Sequence, residues 1–185
     1  MKKILVLLSL FFCLGLNAQV EHMKFMGIDM NCDIDTFKEK LIQKGFQYEN
    51  KLDDGKDASI FLIGGIFSGE KANLFVDYDR DSKLVYCVKV GITCLDKDMA
   101  ESKYQYFKSG LSSKYAGHYC KESMDNGMNN YSVLVLDKKK DPYGGIHMRI
   151  TENISSELPE VSLLLINYTD LKNRDLHDNK KYEDL

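Results

Sequence analysis

The chain has 185 residues, with 25 Lys and Arg against 28 Asp and Glu, a formal net charge of −3 at pH 7. This mild acidity argues against nucleic acid or an anionic membrane surface as the partner, because both recruit clustered cations to their phosphates. The excess of acid grows toward the mature form, since Lys2 and Lys3 belong to a segment expected to be removed.

Met1-Lys2-Lys3 supplies a positive start, residues 4–16 an apolar run of 13, and Asn17-Ala18-Gln19 an exit containing a small residue. That combination reads as a secretory signal peptide over residues 1–18, and places the protein in the periplasm or outside the cell. The run is shorter than the ~20 apolar residues that cross a bilayer, and no other stretch is as long, so no transmembrane segment is expected. Lipoprotein anchoring through Cys13 fits poorly: Leu10-Phe11-Phe12 lacks the small residues of an acylation site, and Leu14-Gly15-Leu16 continues the apolar run. Without Lys2 and Lys3, 23 basic residues face 28 acidic ones, a formal charge of −5. About 166 residues then remain, one domain's worth, able to bury roughly 70% of the unfolded surface without metal or staples.

Residues 20–28 read as a first strand whose Gly27-Ile28-Asp29 echoes Gly91-Ile92-Thr93. Each precedes a helix. In residues 33–44, Ile34, Phe37 and Leu41 fall at i, i+3, i+7; Tyr104, Phe107 and Leu111 repeat the spacing 70 residues later, within residues 98–115. Asp33 or Asp35 can cap the first helix, and Asp98 with Glu101 resembles a capping box for the second. Strands rich in β-branched and aromatic residues follow each helix: 46–50, 59–67, 72–78 and 84–93, then 118–122, 131–137, 146–152 and 162–169. The turns between them are Asp53-Asp54-Gly55, Ser68-Gly69-Glu70 and Asp79-Arg80-Asp81-Ser82 in the first half. In the second they are Asp125-Asn126-Gly127, Asp141-Pro142-Tyr143-Gly144 and Glu157-Leu158-Pro159. The pattern predicts an α+β fold in which one helix packed on a four-stranded antiparallel meander occurs twice, at 20–96 and 97–170, giving a larger sheet with helices on one face. Residues 171–185 read as a charged tail, a solvated helix or extension.

Alternation assigns the faces. Leu84, Tyr86, Val88, Val90 and Ile92 share one side with Leu74, Val76, Met148 and Ile150, and this set faces the helices. Phe75, Lys89, His147 and Arg149 then lie on the opposite, open face with Leu163 and Leu165, a mixture of aromatic, apolar and cationic groups suited to gripping a protein partner.

Helix plus meander in tandem, in a small exported chain with four cysteines, resembles the beta-lactamase inhibitory protein family. Half by half it is similar to the BamE-like envelope lipoproteins, which carry one unit. Phe25-Met26-Gly27-Ile28 before a helix ending Lys44-Gly45-Phe46, and Leu111 through Lys114-Tyr115, look like a group of exported bacterial proteins without assigned activity. The inhibitor-like resemblance implies a concave sheet face that holds another protein, and it carries over no contact residue.

In an oxidising compartment Cys32, Cys87, Cys94 and Cys120 are candidate disulfide partners with three pairings open. Their spacing contains no Cys-x-x-Cys, and no histidine pair sits at zinc-ligand spacing. Asp77-Tyr78-Asp79-Arg80-Asp81 begins like a calcium loop, but Ser82 stands where glycine is needed and Val88 where glutamate should close the site. His22, His118, His147 and His177 are scattered, and Gly64-Gly65 lies inside an apolar strand, where a bulge or close backbone approach explains it. No catalytic motif, metal or cofactor is expected. The expectation is a noncatalytic binding module for a protein partner; the alternative is an envelope-assembly subunit that self-associates into a homo-oligomer, separable by light scattering.

Overall fold

The computed structural model describes residues 21–53, 58–125, 127–152 and 162–183. The leader at 1–18, Asp54-Gly55, Asn126 and the Glu157-Leu158-Pro159 loop lie outside the described residues. A hairpin of two short strands, β1 (Lys24–Phe25) and β2 (Ile28–Asp29), leads into α1 (Ile34–Gln43). Four strands follow: β3 (Gln47–Asp53), β4 (Ala58–Phe67), β5 (Glu70–Tyr78) and β6 (Val85–Cys94). Then come α2 (Lys97–Lys114), β7 (Tyr119–Asp125), β8 (Met128–Leu136), β9 (Pro142–Glu152), β10 (Ser162–Asp170) and α3 (Leu171–Glu183). The fold is α+β. Its eight long strands form one antiparallel sheet in the order β3-β4-β5-β6-β10-β9-β8-β7, so β6 and β10 pair at the centre and β3 and β7 are the edges.

Both amphipathic helices bury the residues their periodicity marks, Ile34, Phe37 and Leu41 in α1 and Tyr104, Phe107 and Leu111 in α2, and α2 buries Ala100 as well. Asp33 caps α1, accepting from the Asp35 and Thr36 amides and the Thr36 hydroxyl. These bonds hold the Asp33 carboxyl below the usual carboxylate range. The second cap is Asp96, which accepts from the Met99 amide at 2.7 Å. The capping box expected at Asp98 is therefore displaced by two residues, because β6 ends at Cys94 and Asp96 is the first acceptor the chain meets.

Cross-strand register lays the core out in rows. Leu62, Leu74, Val90, Ile166, Met148 and Tyr131 stand side by side across six strands, each no more than 4% exposed. Alternation is interrupted at the start of β6, where Asp77 pairs with Cys87 but Tyr78 pairs with Val85. Val85 therefore joins the core, and Tyr86, expected among the helix-facing set, instead stacks on His177 of α3 at 4.7 Å. A second irregularity falls between Leu62 and Gly65, where Gly64 takes φ 75° and Gly65 lies under the Phe46 ring. A Cβ at Gly65 would collide with that ring. Gly65→Ala is expected to destabilise by about 1–3 kcal/mol through overpacking; a denaturant midpoint unchanged from wild type would show that Phe46 yields freely.

The two ends of the described chain depart from expectation. The first strand is not continuous: Met26 and Gly27, at φ 50° and 79°, turn it back on itself so that Phe25 opposes Ile28. The second departure is α3, read from its charge as solvated. It packs against β6, β9 and β10, with Asn173 and His177 buried at 2% and 6% exposure. The Asn173 amide group donates to the Met30 and Val85 carbonyls at 3.2 and 2.8 Å, and His177 Nδ1 lies 2.9 Å from Asp79. Polar side chains do the docking, which an apolar periodicity cannot register. Asp79, the first residue of the predicted Asp79-Arg80-Asp81-Ser82 turn, is accordingly buried and anchors α3 as well as holding the Ser82 amide.

Candidate functional site

In an antiparallel sheet, directly paired residues project to the same side, so register identifies the outer face without further assumption. One outer row reads Asn50, Phe61, Phe75, Lys89, Asn167, His147, Ser132 and Lys121 across all eight strands. The adjacent row contains Asn73, Gly91, Leu165, Arg149 and Asn130, and beyond it lies Leu163 between Thr93 and Thr151. All six residues marked in the sequence, Phe75, Lys89, His147, Arg149, Leu163 and Leu165, thus occupy one contiguous patch centred on β5, β6, β10 and β9. Arg149 is exposed and the other five are half-buried, as neighbours on a sheet surface shield one another.

Local packing gives the patch its shape. Phe75 stacks on Phe61, ring centroids 4.5 Å apart. Lys89 meets the buried Asp77 carboxylate at 2.6 Å, and Asp77 also accepts from the Ser59 hydroxyl at 2.7 Å. Leu163 and Leu165 lie against Gly91, where a Cβ would stand 3.6 and 3.9 Å from their methyl groups. Burial, and then the Arg149 guanidinium, hold the His147 ring below the usual imidazole value. The neutral ring is therefore favoured, and its neighbour Arg149 carries the charge. Arg149 has no ion-pair partner among the described residues.

Phe61, Asn73, Asn130 and Asn167 complete this face and were not singled out from the sequence. Alternation along β4, β5, β8 and β10 carried the signal for each, but the registers that make them neighbours span up to 78 positions, as between Lys89 and Asn167.

The Ser59 hydroxyl and Lys89 ammonium are both engaged by Asp77, so neither stands as an activated nucleophile. Asp79 holds His177 on one oxygen and the Ser82 amide and hydroxyl on the other, which makes the pair a clamp on α3. Burial, reinforced by Asp77, pushes the Cys87 thiol up to about 11, far from a reactive thiolate. Among the described residues no group of three His, Cys, Asp or Glu side chains gathers to hold a metal.

Cys32, Cys87, Cys94 and Cys120 are free thiols. Cys87 and Cys94 lie seven positions apart on β6, about 23 Å at the ~3.3 Å rise of a strand. Cys120 sits on β7, four strands from β6, or roughly 19 Å at ~4.8 Å per strand. A disulfide requires Cα atoms within about 7 Å. Each of the three complete pairings needs Cys87 with Cys94, Cys87 with Cys120, or Cys94 with Cys120, so a two-disulfide framework within one chain does not fit this fold. Neither family models, nor curated proteins, nor solved structures matched the chain.

Proposed function

We propose that the protein is an exported, noncatalytic binding module that holds a protein partner against the open face of its sheet. One observation carries the reading: aromatic, aliphatic and cationic side chains are contiguous on that face, and exposed Arg149 at its centre has no ion-pair partner among the described residues. Such a surface suits a partner loop bearing an acidic side chain flanked by apolar ones, since the acid meets Arg149 while Phe75, Leu163 and Leu165 give up water. In the same reading the chain is a duplicated unit, α1 with β3–β6 and α2 with β7–β10, both helices packed on the face away from the partner. The matched i, i+3, i+7 triplets and the mirrored strand order about β6 and β10 support this, as does the resemblance to the inhibitory-protein architecture. Export rests on the leader-like residues 1–18.

Capture from envelope extracts by the immobilised protein provides the test. Arg149→Glu is expected to reduce recovery of a discrete partner at least tenfold with the unfolding midpoint unchanged, because an exposed unpaired arginine contributes within about 0.5 kcal/mol to stability. Recovery equal to wild type would remove this face as the binding surface. Light scattering addresses the alternative: a concentration-dependent dimer lost in Leu163→Glu would instead make the face a self-association surface.

A further inference from the structure

A cavity of about 590 Å³ opens on the other side of the molecule from these contacts, between the Met26-Gly27 turn, the Ser68-Gly69 turn and the second half of α2. Its size falls in the ~300–1,000 Å³ range of small-molecule sites. The floor is apolar and aromatic: Phe67, Phe107, Leu111 and Tyr168, each 6% exposed. Lys24 and Lys114 stand at its rim. Both are exposed, and no carboxylate pairs with either among the described residues, in a chain that is acidic overall.

Two further features follow the cavity wall. Met26 and Ser68 occupy φ 50° and 48°, a region that side chains other than Gly, Asn and Asp seldom adopt, and both line the opening. Gly110 sits inside α2, where any ordinary residue would form helix better. Its missing side chain is not forced by packing: a Cβ there meets nothing within 4 Å. The space it leaves belongs to the cavity. An apolar hollow with two exposed ammonium groups at its rim, that of Lys114 lying over the Tyr115 ring at 5.2 Å, is complementary to an amphiphile having one tail and one negative head.

We infer that this cavity binds a free long-chain fatty acid, its alkyl chain over Phe67, Phe107, Leu111 and Tyr168 and its carboxylate between Lys24 and Lys114. The rim lysines also border a wider polar trough that includes Lys138 and Lys139 together with Glu21, Asp29 and Asp137, so the head remains in contact with water. The site is independent of the open sheet face.

The test is calorimetric titration of the protein with laurate below its micelle concentration, beside dodecyltrimethylammonium, which has the same tail and the opposite charge. Laurate is expected to bind one to one and the cation at least tenfold more weakly. Gly110→Leu fills the cavity from its wall with a good helix former, so laurate affinity falls at least tenfold while Tm stays level or rises. Lys24→Glu with Lys114→Glu alters only exposed positions and serves as a second variant should the leucine disturb α2; it removes the preference for the anion. No laurate binding by the wild type, equal binding of the two surfactants, or wild-type laurate affinity in both variants would overturn the assignment.

Discussion

Asp170→Ala is expected to lose about 3–5 kcal/mol of folding stability and to free α3 and residues 22–23 from the sheet together. Asp170 is fully buried at the end of β10. One carboxylate oxygen accepts from the Asn173 amide at 3.0 Å, which makes Asp170 the N-cap of α3. The other accepts from the Met23 amide at 2.8 Å and faces His22 Nδ1 at 3.1 Å. Loss of a cap costs about 1 kcal/mol. Leaving a buried amide without an acceptor costs about 1–3 kcal/mol more, and removing one member of a buried charged group about 3–5 kcal/mol in all. Denaturant unfolding measures the total, and hydrogen exchange at Met23 and Asn173 locates it. A loss below about 1 kcal/mol, or exchange that quickens at only one of the two amides, would mean that Asp170 does not couple the segments. Asp170→Asn keeps the shape and one acceptor, so its loss should be smaller than that of alanine.

Phe67→Ala should be comparably severe, about 3–5 kcal/mol, the usual range for truncating a buried aromatic ring. Phe67 closes β4, yet its ring stacks on Phe25 of β1 at 5.5 Å and on Phe107 of α2 at 5.8 Å. Tyr168 of β10 meets it edge-on at 6.1 Å and meets Phe25 at 5.2 Å. Four elements distant in sequence thus converge on one side chain, and the cavity left by alanine cannot collapse without moving a helix against a sheet. Phe67→Leu retains most of the apolar volume and should lose clearly less. Equal losses for leucine and alanine would indicate that the ring contacts add nothing beyond filling space.

Much of this organisation was legible in the residues alone. Periodicity of 3.6 marked Ile34, Phe37, Leu41, Tyr104, Phe107 and Leu111, because a helix buries one stripe and polar residues fill the rest. Alternation marked the outer positions Phe75, Lys89, His147 and Arg149, because side chains in a strand leave on opposite sides in turn. Both signals are local. Where a strand irregularity resets the alternation, as at Tyr86, local reading assigns the wrong face. Where a helix docks through polar atoms, as α3 does with Asn173 and His177, hydropathy reads its buried side as solvated.

For this chain, then, the sequence by itself determined the α+β class, the two amphipathic helices and eight long strands in their order, and the face of most strand side chains, since each follows from spacing within a few residues. Only the tertiary structure decided that β6 pairs with β10, bringing Lys89 beside Asn167 and Gly91 beside Leu165 in one surface. It alone decided that Asp79 and Asp170 are interior anchors, because their partners His177 and Met23 stand 98 and 147 positions away. Contacts over such separations depend on strand order and register, which arise from the packing of the whole core and are not written in the neighbourhood of either residue.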